Sequence, residues 1–154
     1  MRMGLYGRDY RDQASRRARY KRRISQMKCL LDTHTLLWWI TVPELLVPST
    51  RDPLDDLSNE VLMSIVTPWE LAIMNETGKL DASQILRDIE KGDLDQEVQL
   101  LNAEIKHVIQ AGRLPSHHRD PFDRLLIAQA LDLRIPIVSN DRIFDMYGVQ
   151  RIWD

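Results

Sequence analysis

His118-Arg119-Asp120-Pro121-Phe122-Asp123-Arg124-Leu125-Leu126-Ile127-Ala128-Gln129-Ala130 runs on, after a short polar break, into Ile135-Pro136-Ile137-Val138-Ser139-Asn140-Asp141. Asp120 is a good N-cap, Pro121 fits the first helical position, and Asp123 in the first turn complements the helix dipole. The apolar run behind them predicts a mostly buried helix over 121–133. The stretch 135–139 then reads as a buried strand, with Asp141 just past its end. A helix feeding a continuous apolar strand is half of a βαβ unit, and strands of that composition belong in a parallel sheet covered on both faces.

The rest of the chain repeats the alternation. Lys28–Asp32 is a short apolar strand followed by a helix through Leu36, Leu37, Trp38 and Trp39. Pro43 and Pro48 bracket a loop, with a short helix expected over Pro53–Ser58. Val61–Val66 is a second strand, and a helix from Pro68 to about Glu76 is stopped by Gly78. Further helices are expected over Ala82–Glu90 and Ala103–Ala111, the latter ended by Gly112 and Pro115, with a short strand at Gln99–Leu101 between them. A short helix near Ile143–Met146 and a strand over Val149–Trp153 close the chain. The expected fold class is α/β: a central parallel β-sheet flanked by helices on both faces, with right-handed crossovers.

At 154 residues the chain is long enough for one domain with a full core. Cys29 is the only cysteine, which excludes an internal disulfide and a cysteine-built metal cluster and fits a cytoplasmic protein. No apolar run approaches membrane-spanning length, so no membrane partner is expected. The near-neutral net charge of −2 conceals an asymmetry. Ten of the 21 Lys and Arg fall within residues 1–28, with only Asp9 and Asp12 among the 23 acidic residues. Residues 1–26 lack the aliphatic side chains to offset ordering entropy, so a basic extension that is disordered or a solvated helix is expected, with the folded domain over 27–154. The basic run either touches nucleic acid or has no role. Met27 directly precedes the first strand, and a misassigned start also accounts for the extension.

Carboxylates placed where apolar strands stop are costly unless a positive charge lies between them. Asp32 ends the first strand, Asp141 follows the strand over 135–139, Glu70 lies four residues past Val66, and Asp123 sits in the first turn of its helix. In open parallel sheets, functional groups gather beyond the carboxyl ends of the strands. Four carboxylates from separate segments that converge there suit one or two Mg²⁺ or Mn²⁺ ions. Local alternatives exist for several. Thr67-Pro68-Trp69-Glu70 has the form of a capping box, Asp120 reads first as a cap, and Asp141 can cap the helix after it. Ser139 either orients a ligand near Asp141 or serves turn chemistry. His117, His118, Arg119 and Arg124 form a positive rim that can meet a phosphate or simply coat a surface. His34, two residues after Asp32, either approaches the site or is an ordinary helix-surface side chain, the default reading. Trp38, Trp39, Trp69 and Trp153 are core by default, with base stacking the alternative.

These same residues carry a family resemblance. Met27–Trp39, Ser64–Glu70, His118–Ala130 and Val138–Phe144 with Tyr147-Gly148 and Ile152-Trp153 resemble, in order and spacing, the PIN-domain proteins of the VapC toxin type. The resemblance covers about residues 27–154. It implies a PIN-like fold and a Mg²⁺- or Mn²⁺-dependent endoribonuclease toxin that cleaves structured RNA of the tRNA or rRNA class and is neutralised by a VapB-type antitoxin. Carried over motif by motif, the acidic site falls on Asp32, Glu70, Asp123 and Asp141, as catalytic groups and metal ligands. Asp120, Ser139, Arg119 and Arg124 form a second tier, the arginines as phosphate contacts. Ser139 stands where threonine is more usual, and the basic extension has no counterpart. The antitoxin is expected to lay apolar anchors into a groove lined by the helices carrying Leu36–Trp39 and Leu71–Met74, and a basic side chain into the carboxylates. A homodimer is the expected assembly. The competing reading is a non-toxin or non-catalytic RNA-binding PIN domain in RNA processing.

Overall fold

The computed structural model describes residues 27–94 and 98–154; the expected basic extension, residues 1–26, lies outside the described residues. Five parallel strands form one sheet in the order β3-β2-β1-β4-β5. They are β1 (Lys28–Leu31), β2 (Glu60–Ser64), β3 (Val98–Leu101), β4 (Ile137–Val138) and β5 (Arg151–Ile152). The helices are α1 (Thr33–Thr41), α2 (Pro48–Asp55), α3 (Val66–Glu76), α4 (Ser83–Lys91), α5 (Ile105–Arg113) and α6 (Pro121–Leu133), with 3₁₀ turns at Pro43–Leu45 and Arg142–Tyr147. The α/β reading holds, with helices on both faces of the sheet.

The period of two along each strand builds the two layers. Cys29 and Leu31 of β1, Val61 and Met63 of β2, and Val138 of β4 face a core completed by Leu36, Trp39, Leu54, Leu71 and Ile85. Their neighbours Leu30, Leu62 and Ile137 face the opposite core, with Leu126, Ile127, Phe144 and Tyr147. Both faces are therefore apolar, as a sheet sandwiched between helices requires. Burial pushes the Cys29 thiol up to about 12, which makes it an inert packing group. Gln129, fully buried on α6, accepts from the Ser64 hydroxyl at 2.7 Å and ties that helix to the end of β2.

Several expected boundaries move. The second helix occupies Pro48–Asp55 rather than Pro53–Ser58, because Pro48 rather than Pro53 takes the first position. Gly112 does not end α5, which continues to Arg113. The expected strands over 135–139 and 149–153 shrink to two residues each. The Thr67–Glu70 capping box does not form. α3 begins at Val66, Thr67 is buried with its hydroxyl lacking a hydrogen-bond partner, and Glu70 points elsewhere. By contrast, α6 occupies Pro121–Leu133 as expected, capped by Asp120, whose carboxylate accepts the backbone N–H groups of Phe122 and Asp123.

The strand order fixes where chemistry can sit. From β1 the chain builds outward through β2 and β3, then returns to the other side of β1 for β4 and β5. The order reverses between β1 and β4, and the carboxyl ends of those two strands open the crevice that such a switch point creates.

Candidate metal centre

Asp32 leaves β1 at that switch point and caps α1, with Oδ1 accepting the Thr35 N–H at 2.8 Å. The Asp32 N–H donates to Val138 O at 3.2 Å and the Thr35 hydroxyl donates to the same carbonyl at 3.0 Å, so the ends of β1 and β4 are tied together. From the end of β4, the fully buried Ser139 hydroxyl donates to Asp32 Oδ2 in a very short hydrogen bond and accepts the Asp141 N–H at 3.0 Å. Ser139 thus orients one carboxylate directly and the backbone of a second. Asp32 is only 6% exposed, so its position is fixed by Thr35, Val138 and Ser139 rather than by solvent.

Glu70 projects from α3, and its Oε2 accepts the Thr33 hydroxyl at 2.6 Å. Asp123, in the first turn of α6, has Oδ2 2.6 Å from His118 Nε2. Asp141 caps the 3₁₀ turn after β4 through Oδ1, which accepts the Ile143 N–H at 3.0 Å. Asp32, Glu70, Asp120, Asp123 and Asp141 all line one open pocket together with Thr33, His34, His118, Asn140 and Arg142. All four carboxylates of the expected site therefore meet, with Asp120 beside them.

Burial pushes the Asp123 carboxyl up to about 6; the His118 hydrogen bond works against that rise, and Asp120 and Glu70 add to it. Glu70 is also raised, first by burial, with the Thr33 hydroxyl opposing and Asp120 and Asp32 contributing. Carboxylates held up first by burial, and further by one another, gain from a cation placed among them. A ligand atom from each of His118, Asp120 and Asp123 lies within 4.8 Å of the others. The carboxylate oxygens that line the pocket are donors of the kind Mg²⁺ and Mn²⁺ take, and the imidazole sits on one of those carboxylates.

Arg124 departs from its expected role. Its guanidinium donates to the carbonyls of Ala111, Leu114, Pro115 and His118 at 2.8–3.0 Å, which leaves it clamping a loop rather than facing a phosphate. Arg119 is exposed. Arg142 lines the pocket, a position that strand-end reasoning about carboxylates passed over. His118, placed only on a positive rim by the sequence, sits on a site carboxylate; its spacing of five residues from Asp123 across a proline-started helix was the available signal. Trp39 is core, but Trp69 is 62% exposed and meets Phe122 edge-on at 5.0 Å.

Beside this pocket lies an apolar groove lined by Leu37, Trp38, Val42, Leu45, Met74, Leu80 and Ile85, with Lys79 and Asp81 at its margin. His34 and Trp38 line both, so groove and pocket are continuous. Of the side chains expected in such a groove, Leu37, Trp38 and Met74 line it, while Leu36, Trp39 and Leu71 belong to the core.

The PIN domain family model matches residues 29–149. Comparison with curated proteins returns no significant match. Among solved structures, VapBC2 from Rickettsia felis, bound to a DNA fragment from their promoter, shares the fold at a TM-score of 0.61 and 18% identity, over 83% of this chain and 100% of that one. DNA-bound VapBC from Salmonella typhimurium gives 0.60 and 19%, over 82% and 97% of the two chains. VapBC-1 from nontypeable Haemophilus influenzae gives 0.57 and 18%, over 81% and 96%.

Proposed function

The chain belongs to the PIN-domain family, and from that premise we propose that it is a divalent-metal-dependent endoribonuclease toxin of the VapC type, acting in the cytoplasm on structured RNA of the tRNA or rRNA class and restrained by a VapB-type antitoxin. The observation that carries this reading is the convergence of Asp32, Glu70, Asp123 and Asp141, from four separate segments, in one pocket at the sheet's switch point. Similarity to toxin–antitoxin complexes supports the partner.

Asp32, Asp123 and Asp141 would hold Mg²⁺ or Mn²⁺, and Glu70 would hold the ion or orient the attacking water. When bound, the ion supplies an activated water and neutralises charge at the phosphodiester. Ser139 and Thr33 keep Asp32 and Glu70 aimed through their hydroxyl hydrogen bonds. Arg142 and Arg119 contact the phosphate backbone, and Trp69, exposed one residue before Glu70, offers a face on which a base can stack. The antitoxin lays apolar side chains along the groove and extends a basic one into the adjoining carboxylates. Such a pair weakens as salt screens it and as Mg²⁺ competes for the site.

Co-expression with the reading frame directly upstream, followed by co-purification, growth measurement and an RNA cleavage assay across Mg²⁺ concentrations, tests this. The expected result is a growth defect from the chain alone, relief by the upstream product, and inhibition that weakens as Mg²⁺ rises. No partner and no growth defect would exclude the toxin reading.

A further inference from the structure

We infer that His118 is a positioning residue for Asp123, and that the hydrogen bond between them sets how tightly the pocket holds its divalent ion. The inference rests on the functional reading above. Three of the four site carboxylates each have an oxygen pinned by a neighbouring side-chain group: Asp32 by Ser139, Glu70 by Thr33 and Asp123 by His118. The first two donors grow from residues inside or next to the sheet and α1. His118 instead stands on the irregular segment between α5 and α6, so its position has to be built separately.

The structure builds it with unusual thoroughness for a loop. The His118 N–H donates to the Tyr147 hydroxyl at 2.7 Å, and that hydroxyl donates onward to Pro115 O at 2.8 Å. The Arg124 guanidinium holds the His118 and Pro115 carbonyls at 2.9 Å and the Leu114 carbonyl at 2.8 Å. Tyr147 is itself buried in the core beneath, and the His117 ring meets it edge-on at 5.3 Å. The arginine comes from the residue after Asp123, so the clamp and the carboxylate share one helical turn. Both partners of the 2.6 Å contact are therefore fixed before any ligand arrives. With Oδ2 engaged by the imidazole, Asp123 keeps Oδ1 for a ligand of the pocket it lines. A carboxylate oriented by such a partner binds metal roughly 10–100-fold better than one left to rotate.

A solely structural role, as an ion pair that staples the loop to α6, makes a different prediction: lower melting temperature with unchanged ion affinity. The full chain is titrated calorimetrically with Mn²⁺ as wild type, His118→Ala and His118→Gln, and each is melted in chelator. The glutamine amide nitrogen falls near the place of Nε2 and keeps the donor. Expected is a loss of Mn²⁺ affinity of about 10-fold or more in His118→Ala, recovered for the most part in His118→Gln, with RNA cleavage following the same order. Mn²⁺ binding by His118→Ala as tight as wild type would overturn the inference, as would His118→Gln binding as weakly as His118→Ala. A wild-type chain that binds neither Mn²⁺ nor Mg²⁺ contradicts the nuclease reading itself.

Discussion

Asp123 bears the cost of burying a carboxyl group beside other carboxylates. Its carboxyl is raised by burial from the ordinary 3.8 to about 6, so its ionised form destabilises the metal-free fold. The sign follows from linkage: a raised folded-state value means that stability is full below the ordinary value and is lost as pH rises through the folded one. In chelator, acidification from pH 7 to about 5 should therefore raise stability by about 1 kcal/mol through this group, read as a higher melting temperature. Asp123→Asn should melt higher than wild type at pH 7, show a flatter pH profile, and lose RNA cleavage. A wild-type melting temperature that falls over this pH range would refute the assignment. Ser139 gives a second test. Ser139→Ala leaves Asp32 without its hydroxyl donor and should cut activity, whereas Ser139→Thr keeps the hydroxyl and should remain active. Asp32, Asp123 and Asp141 were legible because each sits at a strand end or helix start, and Glu70 because it lies one turn into the helix that follows β2. The partners that aim them were less so. His118 meets Asp123 only because Tyr147, 29 residues further on, holds its backbone, and no local pattern records that.

Helix α6 was legible to its ends because Asp120, Pro121 and the apolar run all specify the same start, and nothing from elsewhere competes. Helix α3 was not. Thr67-Pro68-Trp69-Glu70 specifies a cap as clearly, but Glu70 is taken by Thr33 from α1, and the helix starts one residue before Thr67. Pro68 is tolerated there because N–H groups of the first turn have no helical acceptor. A tertiary contact overrode a local one, and it did so at the site. Asp120→Asn offers a test at this scale. Asparagine caps nearly as well as aspartate, so this variant should keep its stability and lose less activity than Asp123→Asn. Equal inactivation would move Asp120 into the group of metal ligands. The far end of α6 carries a different strain. Arg134, at φ 55°, adopts the left-handed conformation that turns the chain towards β4. Arg134→Gly relieves that side-chain clash and should stabilise the protein by about 1 kcal/mol, measured by denaturant unfolding.

The whole molecule places its chemistry by topology. A parallel sheet whose strand order reverses beside β1 has one crevice, and the carboxylates that the sequence sets after β1 and β4 fall into it. The alternation of apolar strands and helices therefore gave the architecture and the end of the sheet that matters. The groove was expected on the helices carrying Leu36–Trp39 and Leu71–Met74, but which of their side chains line it depends on what the core of α1 and α3 leaves uncovered. Among the described residues no helix is long and apolar enough to cross a membrane. Residues 1–26 hold few of the aliphatic side chains that a core needs, so a chain starting at Met27 should melt at the same temperature as the full chain. A lower melting temperature would assign residues 1–26 a part in the fold, and weaker RNA binding alone would make their ten-to-two excess of basic over acidic groups, counted through Lys28, a binding arm. The claim at the centre of all this is that the carboxylate pocket is a metal-dependent RNA-cleaving site. The most direct measurement is cleavage of an end-labelled structured RNA by the purified full chain, with Asp32→Asn purified in parallel. Cleavage is expected in Mg²⁺ or Mn²⁺, is lost in chelator, returns when the ion is restored, and falls to background in Asp32→Asn while that variant stays folded. Cleavage that persists undiminished in chelator, or in Asp32→Asn, contradicts it.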